Sequence, residues 1–497
     1  MQNEQKSESE LKRAKQFRES RINLPEHAEA TIEFSDSYKN PIHGTLLNLS
    51  EFGAQIKLSE SENFVRIGST LKNVVMTVCG KSIFTGEVKL VNEAVSVDGL
   101  FLIYGVMTRT PIDLDRLSAI IGLADNSNIS RAKNILKIAQ TIRPEFKLLL
   151  SDFVTFHQEL RTRLNEEDQL LATKVMNKAV RRKKEQEIIN LTESLYSQDM
   201  LNLFTQFGEI FRTLDPEELE DHRRYFRSCM HPLVLTDCPF ISRAFSKPQG
   251  YPGDYGLMVM LYEYEDMGPS LFHKAWHRFS CNSPTAIANK NRVKLLNNHL
   301  FRAYQVACDR GDKSFKITTV ACGPAKEIEL FLQDLPQKSP IPIEVILVDQ
   351  DQSSLSYAQS RIKPLSASKE NIKVSFFAED AVLGVIRQRP FVEEMKGSDI
   401  IISAGLFDYL SDRVSKKLIT TLFKELSPKG AMYIGNVASY EPDVFAMDFV
   451  MDWNLIHRTR DDLDNLVEDE IRAQSVDIDV INEEIGLNLF LVIKKKS

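Results

Sequence analysis

No apolar run in this chain approaches the roughly 20 residues a membrane-spanning helix needs. The first 21 residues, MQNEQKSESELKRAKQFRESR, hold no hydrophobic stretch of the kind a secretory signal carries. Cysteine is sparse, six in 497 residues (Cys79, Cys229, Cys238, Cys281, Cys308 and Cys322), and never in CxxC spacing. That excludes a thiolate zinc site and a disulfide framework, and points to reduced thiols in a cytoplasmic protein. The nine histidines show no HExxH or comparable pattern, so no metal is expected. Charge of one sign is lacking as well: 62 basic against 69 acidic residues leave a net charge of −7, which argues against a general nucleic-acid surface.

What is present divides by texture. At 497 residues the chain exceeds a single hydrophobic core, and 43% hydrophobic with 26% charged residues is ordinary for a globular protein. Residues 1–23 form a polar, basic arm. Over 24–122, short β-rich runs (ATIEF, GAQIKL, TLKNVVMTV, SIFTGEVKLV, GLFLIYGVMT) alternate with turn signals, which predicts a small β-barrel. Over 123–310 the apolar residues recur every three or four positions, which predicts helices. The run KAVRRKKEQEIINL interleaves both charges and reads as a solvated helix face. From 311 to 497, β-then-α units (KITTVA, IEVILVD, IKVSFFA, SDIIISA, GAMYIGNV) end in two strands joined without a helix, SVDIDVIN and LNLFLVIKK. This is a doubly wound α/β sheet, seven-stranded, with an antiparallel final hairpin, the ending typical of class I methyltransferases.

The strand ends carry the chemistry. The first strand runs into Val320-Ala-Cys-Gly-Pro-Ala325 and at once a helix, so that small residues (Ala321, Gly323, Pro324) and a helix N-terminus face a ligand able to supply a carboxylate or phosphate. The motif is neither GxGxxG nor a P-loop. The second strand ends in Leu347-Val-Asp-Gln-Asp351, where Asp349, 26 positions after Gly323, is placed for ribose hydroxyls, with Asp351 as the next candidate. At the third, Asp380 and the Ala381 N–H are placed for adenine. At the fourth, Ser403 and the residues to Tyr409 border the reactive side. S-adenosylmethionine (SAM) is the cofactor these four ends favour, and NAD is the alternative.

The segments HRRYFRSCMHPLVLTDCPFISRAFSKPQGYPGDYGLM, SPTAIANKNR, VACGPAKEIELFL, LVDQDQSSLSYA, SAGLFDYLSDRV, LSPKGAMYIGNV and AMDFVMDWNLIHRTRDDL carry a resemblance over about half the chain. They resemble the bacterial 3-hydroxypalmitic acid methyl ester synthases, enzymes that make fatty-acid methyl ester signals for cell-density sensing. Pro252 stands where that family has alanine, and Asp448 where it has glutamate. The resemblance implies transfer of the SAM methyl group to the carboxylate of a fatty-acid-like substrate. A carboxylate of pKa about 4 needs no general base at neutral pH. Tyr255, Arg292, Tyr409, Asn436 and Arg458 then line the acceptor side, the two arginines either as clamps or as structural ion pairs. The proline- and glycine-rich GYPGDY stretch folds over the cofactor with Tyr251, Asp254 and Tyr255 toward the sulfonium, or else forms a stiffened helix corner. Two other classes stay open: a methyltransferase on a protein carboxylate or polar metabolite, and a signalling module that only binds.

The N-terminal β segment resembles a PilZ domain, the bacterial cyclic di-GMP module. Asn48-Leu-Ser-Glu-Phe-Gly53 fits that family's D/N-x-S-x-x-G turn, and implies Asn48, Ser50 and Gly53 as ligand residues. The accompanying RxxxR pattern is defective: Arg18 and Arg21 are three apart, and Phe17 holds the first arginine's place. A working sensor and a barrel that serves only for docking both fit this pattern.

Overall fold

The structure, a computed structural model, describes residues 22–24, 30–35, 41–50, 53–58, 69–78, 81–95, 102–108, 112, 114, 117, 139–174, 177–234, 238–249, 251–438 and 443–496. The chain forms two compact units, Met1–Ile142 with Ser246–Tyr251, and Arg143–Phe245 with Pro252–Ser497.

In the first unit, β1 (Ile22–Asn23), β2 (Ala30–Ser35), β3 (Pro41–Ser50), β4 (Gly53–Leu58), β5 (Thr70–Val78), β6 (Lys81–Val95) and β7 (Leu102–Thr108) follow one another. They pair in the order β3-β2-β5-β6-β7-β4, and β4 returns to β3, so six antiparallel strands close a barrel, with β1 added on the far end of β3. Period-two alternation sets which side faces in: Ala30, Ile32 and Phe34 of β2 and Val74, Met76 and Val78 of β5 are buried, while Glu33 between them is exposed. At the predicted PilZ-like turn, Ser50 pairs with Gly53 in register and is buried. Asn48 Nδ2 donates to Gln55 Oε1 at 2.6 Å. A Cβ at Gly53 would lie 2.8 Å from the Val106 carbonyl oxygen, so the close strand approach requires glycine here. Arg18 and Arg21 lie outside the described residues.

The second unit begins with helices α1 (Pro144–Thr173), α2 (Lys178–Phe211), α3 (Pro216–Val234), α4 (Pro239–Ser246), α5 (Tyr255–Tyr262), α6 (Leu271–Cys281) and α7 (Pro284–Arg310). Side-chain caps start several of them: Asn177 accepts from Val180 N, Asp254 from Leu257 N, Ser270 from His273 N and Ser283 from Ala286 N. Left-handed Gly311 ends α7. The charged start of α2, Lys178 to Lys184, is exposed. Phenylalanines join the helices to the segment before residue 450. Phe207 stacks on Phe445 at 4.6 Å between centroids, and Phe445 on Phe449 at 4.5 Å. Among the described residues no helix is long and apolar enough to cross a membrane.

The sheet of this unit comprises β8 (Phe315–Val320), β9 (Lys338–Asp349), β10 (Glu370–Ala378), β11 (Ser398–Ser403), β12 (Leu426–Val437), β13 (Val476–Asn482) and β14 (Asn488–Lys495), with α8 (Lys326–Asp334), α9 (Gln352–Ala367) and α10 (Asp412–Glu425) among its crossovers. Its order is β10-β9-β8-β11-β12-β14-β13, the first five strands parallel and β14 antiparallel to both neighbours. Ile401, Met432 and Ile434 enter one core with Leu418 and Leu422 of α10. Ile400, Ile402 and Tyr433 enter the other with Leu300, Ile328 and Leu355 of α7, α8 and α9. Burial on both faces explains the near-continuous apolar strands. The winding reverses beside β8, with β9 on one side and β11 on the other, and a crevice opens there at the strands' carboxyl ends.

Candidate active site

The loop leaving β8 alternates into the left-handed region three times, at Ala321 (φ 53°), Gly323 (φ 55°) and Ala325 (φ 50°). For the two alanines this conformation is costly and marks a shape the surroundings enforce. Helix α8 follows with no side-chain cap, which leaves its first N–H groups facing the crevice end of the loop uncapped. A Cβ at Gly323 would meet nothing within 4 Å, so the space above it is open.

Asp349 ties this loop to the next strand. Its Oδ2 accepts from Gly323 N at 2.8 Å and its Oδ1 from Asp351 N at 2.9 Å. The carboxyl is only 6% exposed, and burial holds its pKa above the usual carboxylate value. Asp351 caps α9 through Oδ1, bonded to Ser353 N at 2.8 Å, while its Oδ2 is buried without a hydrogen-bond partner among the described residues. Asp380 Oδ1 accepts from Val382 N and Leu383 N at 2.9 and 2.8 Å, and Ala381 is buried beside it. Ser403, at the end of β11, and Thr319, in β8, are buried with hydroxyls that have no hydrogen-bond partner among the described residues. The cofactor residues named from sequence on the sheet thus all lie at the carboxyl ends of β8 to β11.

Residues 252–256 close around groups of their own unit. Asp254 caps α5 through Leu257 N at 2.9 Å, and the same oxygen accepts from Arg243 Nε at 2.8 Å. The Arg243 guanidinium also lies 5.9 Å from the Tyr255 ring centroid. Left-handed Gly253 has no room for a side chain: a Cβ there would lie 2.5 Å from the Trp453 ring and 3.0 Å from the Tyr409 hydroxyl. A Cβ at Gly256 would come within 2.3 Å of Arg243. The aromatic and acidic residues of the loop therefore meet an internal cation, Arg243. Tyr251 is half-buried.

Of the five residues expected on the acceptor side, two are fully engaged elsewhere. A guanidinium has five N–H donors, and Arg458, 2% exposed, uses all of them. Nε and Nη2 bond Asp412 Oδ1 at 3.1 and 2.8 Å, Nη1 bonds Phe407 O and Asn436 Oδ1, and Nη2 bonds Leu410 O. The Asn436 amide nitrogen is held by Val437 O and Ile456 O. Arg458 and Asn436 brace the segment 407–412 and act on the site through it. Tyr409, in that segment, keeps its ring 37% exposed while its hydroxyl donates to Pro252 O and accepts from Trp453 Nε1, each at 2.9 Å. Arg292 differs: it makes only long contacts, to Ala404 O (3.3 Å), Met258 Sδ (3.4 Å) and Tyr262 OH (3.5 Å), and among the described residues no carboxylate pairs with it. Asp448 forms an ion pair with Arg223 at 2.5 Å.

Beside this constellation lies an apolar pocket containing about 570 Å³ free of protein atoms, part of it open to solvent. Phe204, Phe240, Leu261, Trp276, Ala286 and Trp453 are among its apolar lining, with Ser280, Ser283, Asn289 and Asp443 as polar points. Part of the wall, Ala446 to Val450, is π-helical, a distortion that favours functional sites. Four residues that sequence reasoning missed matter here: Arg243, Glu327, Asp408 and Trp453. Glu327 looks like an ordinary first-turn helix acid. Trp453, one of only two tryptophans, lies within the quoted motif AMDFVMDWNL and was the one legible signal.

No protein-family model and no curated protein matches the chain. Among solved structures it is similar to a possible exported protein from Bordetella parapertussis (14% identity, 52% of this chain and 86% of that one, TM-score 0.38). It is also similar to magnesium protoporphyrin IX methyltransferase from Synechocystis PCC 6803 with bound SAH (10% identity, 42% and 85%, TM-score 0.31). A third is an O-methyltransferase family protein from Burkholderia thailandensis (14% identity, 45% and 63%, TM-score 0.29). These likenesses are partial. The strand order with its antiparallel final hairpin defines the second unit as a class I methyltransferase fold.

Proposed function

We propose that this protein is a SAM-dependent O-methyltransferase that esterifies the carboxylate of a long-chain, 3-hydroxylated fatty acid. The residues present fit the cofactor. Above Gly323 there is open space, and in or near the strand ends that border the crevice buried polar atoms of Thr319, Asp351 and Ser403 lack partners among the described residues. Asp349 would hold the ribose with the lone pairs its two backbone bonds leave free, and Asp380 Oδ2 the adenine amino group. When bound, SAM supplies a methyl group on a sulfonium centre.

The observation that carries the acceptor reading is the apolar pocket, whose wall of aromatic and aliphatic side chains with a few polar points is the lining that small-molecule sites use. Trp453 is both its wall and the support of the Tyr409 hydroxyl. An acyl chain in the pocket would therefore have its head near the segment 407–412. The polar side chains of Ser280, Ser283 and Asn289 offer partners to a chain hydroxyl. An ionised carboxylate needs no base, so the work of these residues is placement and exclusion of water. The barrel we read as PilZ-like, on its closed topology and the turn from Asn48 to Gly53.

The test is incubation of the full chain with methyl-labelled SAM and fatty acids of graded length, with and without a 3-hydroxyl, followed by mass spectrometry. Labelled methyl esters of long-chain acids are expected. Label transferred only to protein or to polar metabolites overturns the acceptor assignment.

A further inference from the structure

Arg292 is one half of an unusual pair of side chains. It projects from α7 toward the end of β11, where it reaches the Ala404 carbonyl, and it has no carboxylate partner among the described residues. The other half is Glu327, in the first turn of α8. Glu327 is 6% exposed, and among the described residues it has neither a cationic partner nor a hydrogen bond to another residue's side chain. The two feel each other's charge without forming an ion pair. A half-buried cation with no carboxylate partner and a buried acid held only through its own backbone N–H, neither in an ion pair among the described residues, are costly to maintain. Their natural complement is a group that carries both signs a short distance apart.

We infer that Arg292 and Glu327 form a two-sign clamp for the α-amino-acid end of the cofactor, Arg292 taking its carboxylate and Glu327 its ammonium. This rests on the cofactor reading above and assigns the methionine moiety to two side chains. The uncapped start of α8 is then not the carboxylate site, because Glu327 already places an acid there. The neighbours leave these roles open. On α8, Lys326 and Glu329 pair with each other at 2.9 Å, and Glu329 also binds Arg361 of α9. From the β8 loop, Glu327 faces the buried Cys322 thiol, which Asp349 also influences. Around Arg292 stand the Tyr262 hydroxyl and Asp408, whose Oδ1 accepts from Val437 N. Burial raises the Glu327 carboxyl to about 7, so near neutrality much of it carries a proton in the free protein. An ammonium beside it favours the ionised form, and that proton leaves to solvent on binding.

The test compares S-adenosylhomocysteine with 5′-methylthioadenosine, which keeps the adenosine and the thioether but lacks the amino-acid end. Calorimetric titrations of the full chain at pH near 7 are run in two buffers of different ionisation heat. The wild type should prefer S-adenosylhomocysteine and release a proton on binding it. In Glu327→Gln and Arg292→Met that preference should fall by about tenfold or more, with methylthioadenosine binding unchanged. Proton release should disappear in Glu327→Gln. If Arg292→Met fails to fold, the isosteric Glu327→Gln and its proton count decide alone. Unchanged preference in both variants, or equal weakening of both ligands, overturns the clamp and leaves the cofactor reading standing. Failure of the wild type to bind either ligand overturns both.

Discussion

The backbone N–H of Gly323 and the carboxylate of Asp349 are joined across two strand ends by a 2.8 Å hydrogen bond, so the residue best placed for ribose also fixes the loop that would receive the rest of the cofactor. Binding and local stability are therefore entangled at Asp349. Asp349→Asn turns an amide nitrogen toward either the Gly323 or the Asp351 N–H. That leaves a buried donor unsatisfied, at about 1–3 kcal/mol. A lowered melting temperature is expected, together with S-adenosylhomocysteine binding weakened by about tenfold or more when titrated well below the melt. A folded variant that binds as tightly as the wild type would remove Asp349 from the cofactor site.

Glu327 also sets a pH dependence. Its carboxyl rises from 4.5 to about 7 on folding because burial disfavours the charge. The folded state therefore binds a proton that the unfolded chain has already lost, and the stability this lends is complete below pH 4.5 and fades as pH rises through about 7. Glu327→Gln has no such loss. Its melting temperature relative to wild type should climb between pH 4.5 and about pH 7 and then level off. Asp408, raised to about 6 by burial, titrates in both proteins and cancels in the difference. A flat difference across that range would show that Glu327 is not held in its neutral form.

The pocket predicts a length dependence. Ala286 is 3% exposed and lines the wall. Ala286→Phe fills that space and should raise KM steeply for long-chain acids while short-chain acids are little affected. Comparing the two within one variant separates occlusion from the roughly 1–3 kcal/mol that overpacking can cost. Equal loss on all chain lengths would place the acyl chain elsewhere.

Cyclic di-GMP should bind the full chain weakly or not at all. Its phosphates call for arginine forks, and Phe17 offers neither charge nor donors. Calorimetric titration decides it: tight binding, lost on Arg18→Ala or Ser50→Ala, would make the barrel a working sensor.

The sheet was legible because its strands are buried on both faces and its crossovers carry helical periodicity. The final hairpin stood out because no helix separates SVDIDVIN from LNLFLVIKK. Asp349 and Asp380 were legible because a strand's carboxyl end is a position the pattern itself defines. Arg458 was not: whether an arginine clamps a ligand or spends five donors on its own fold depends on where the segment 407–412 comes to rest. Asp254 shows the same limit. The sequence reading places it toward the sulfonium or in a helix corner, whereas it caps α5 and bonds Arg243 from another helix. Glu327 left no trace in the pattern, because only three-dimensional burial distinguishes it from any acid in a first helical turn.

Trp453 ties the apolar pocket to Tyr409 and to the loop at 252–256. One indole lines the apolar pocket, donates to the Tyr409 hydroxyl and lies where a side chain at residue 253 would have to go. Substitutions in the pocket wall and in the loop at 252–256 should then depart from additivity whenever both press on this ring, since coupled effects arise between residues that share a partner. Sequence drift on one side narrows what the other side tolerates. Altering the pocket for a new acceptor would thus call for joint selection of the loop, with position 453 as the residue through which each constrains the other.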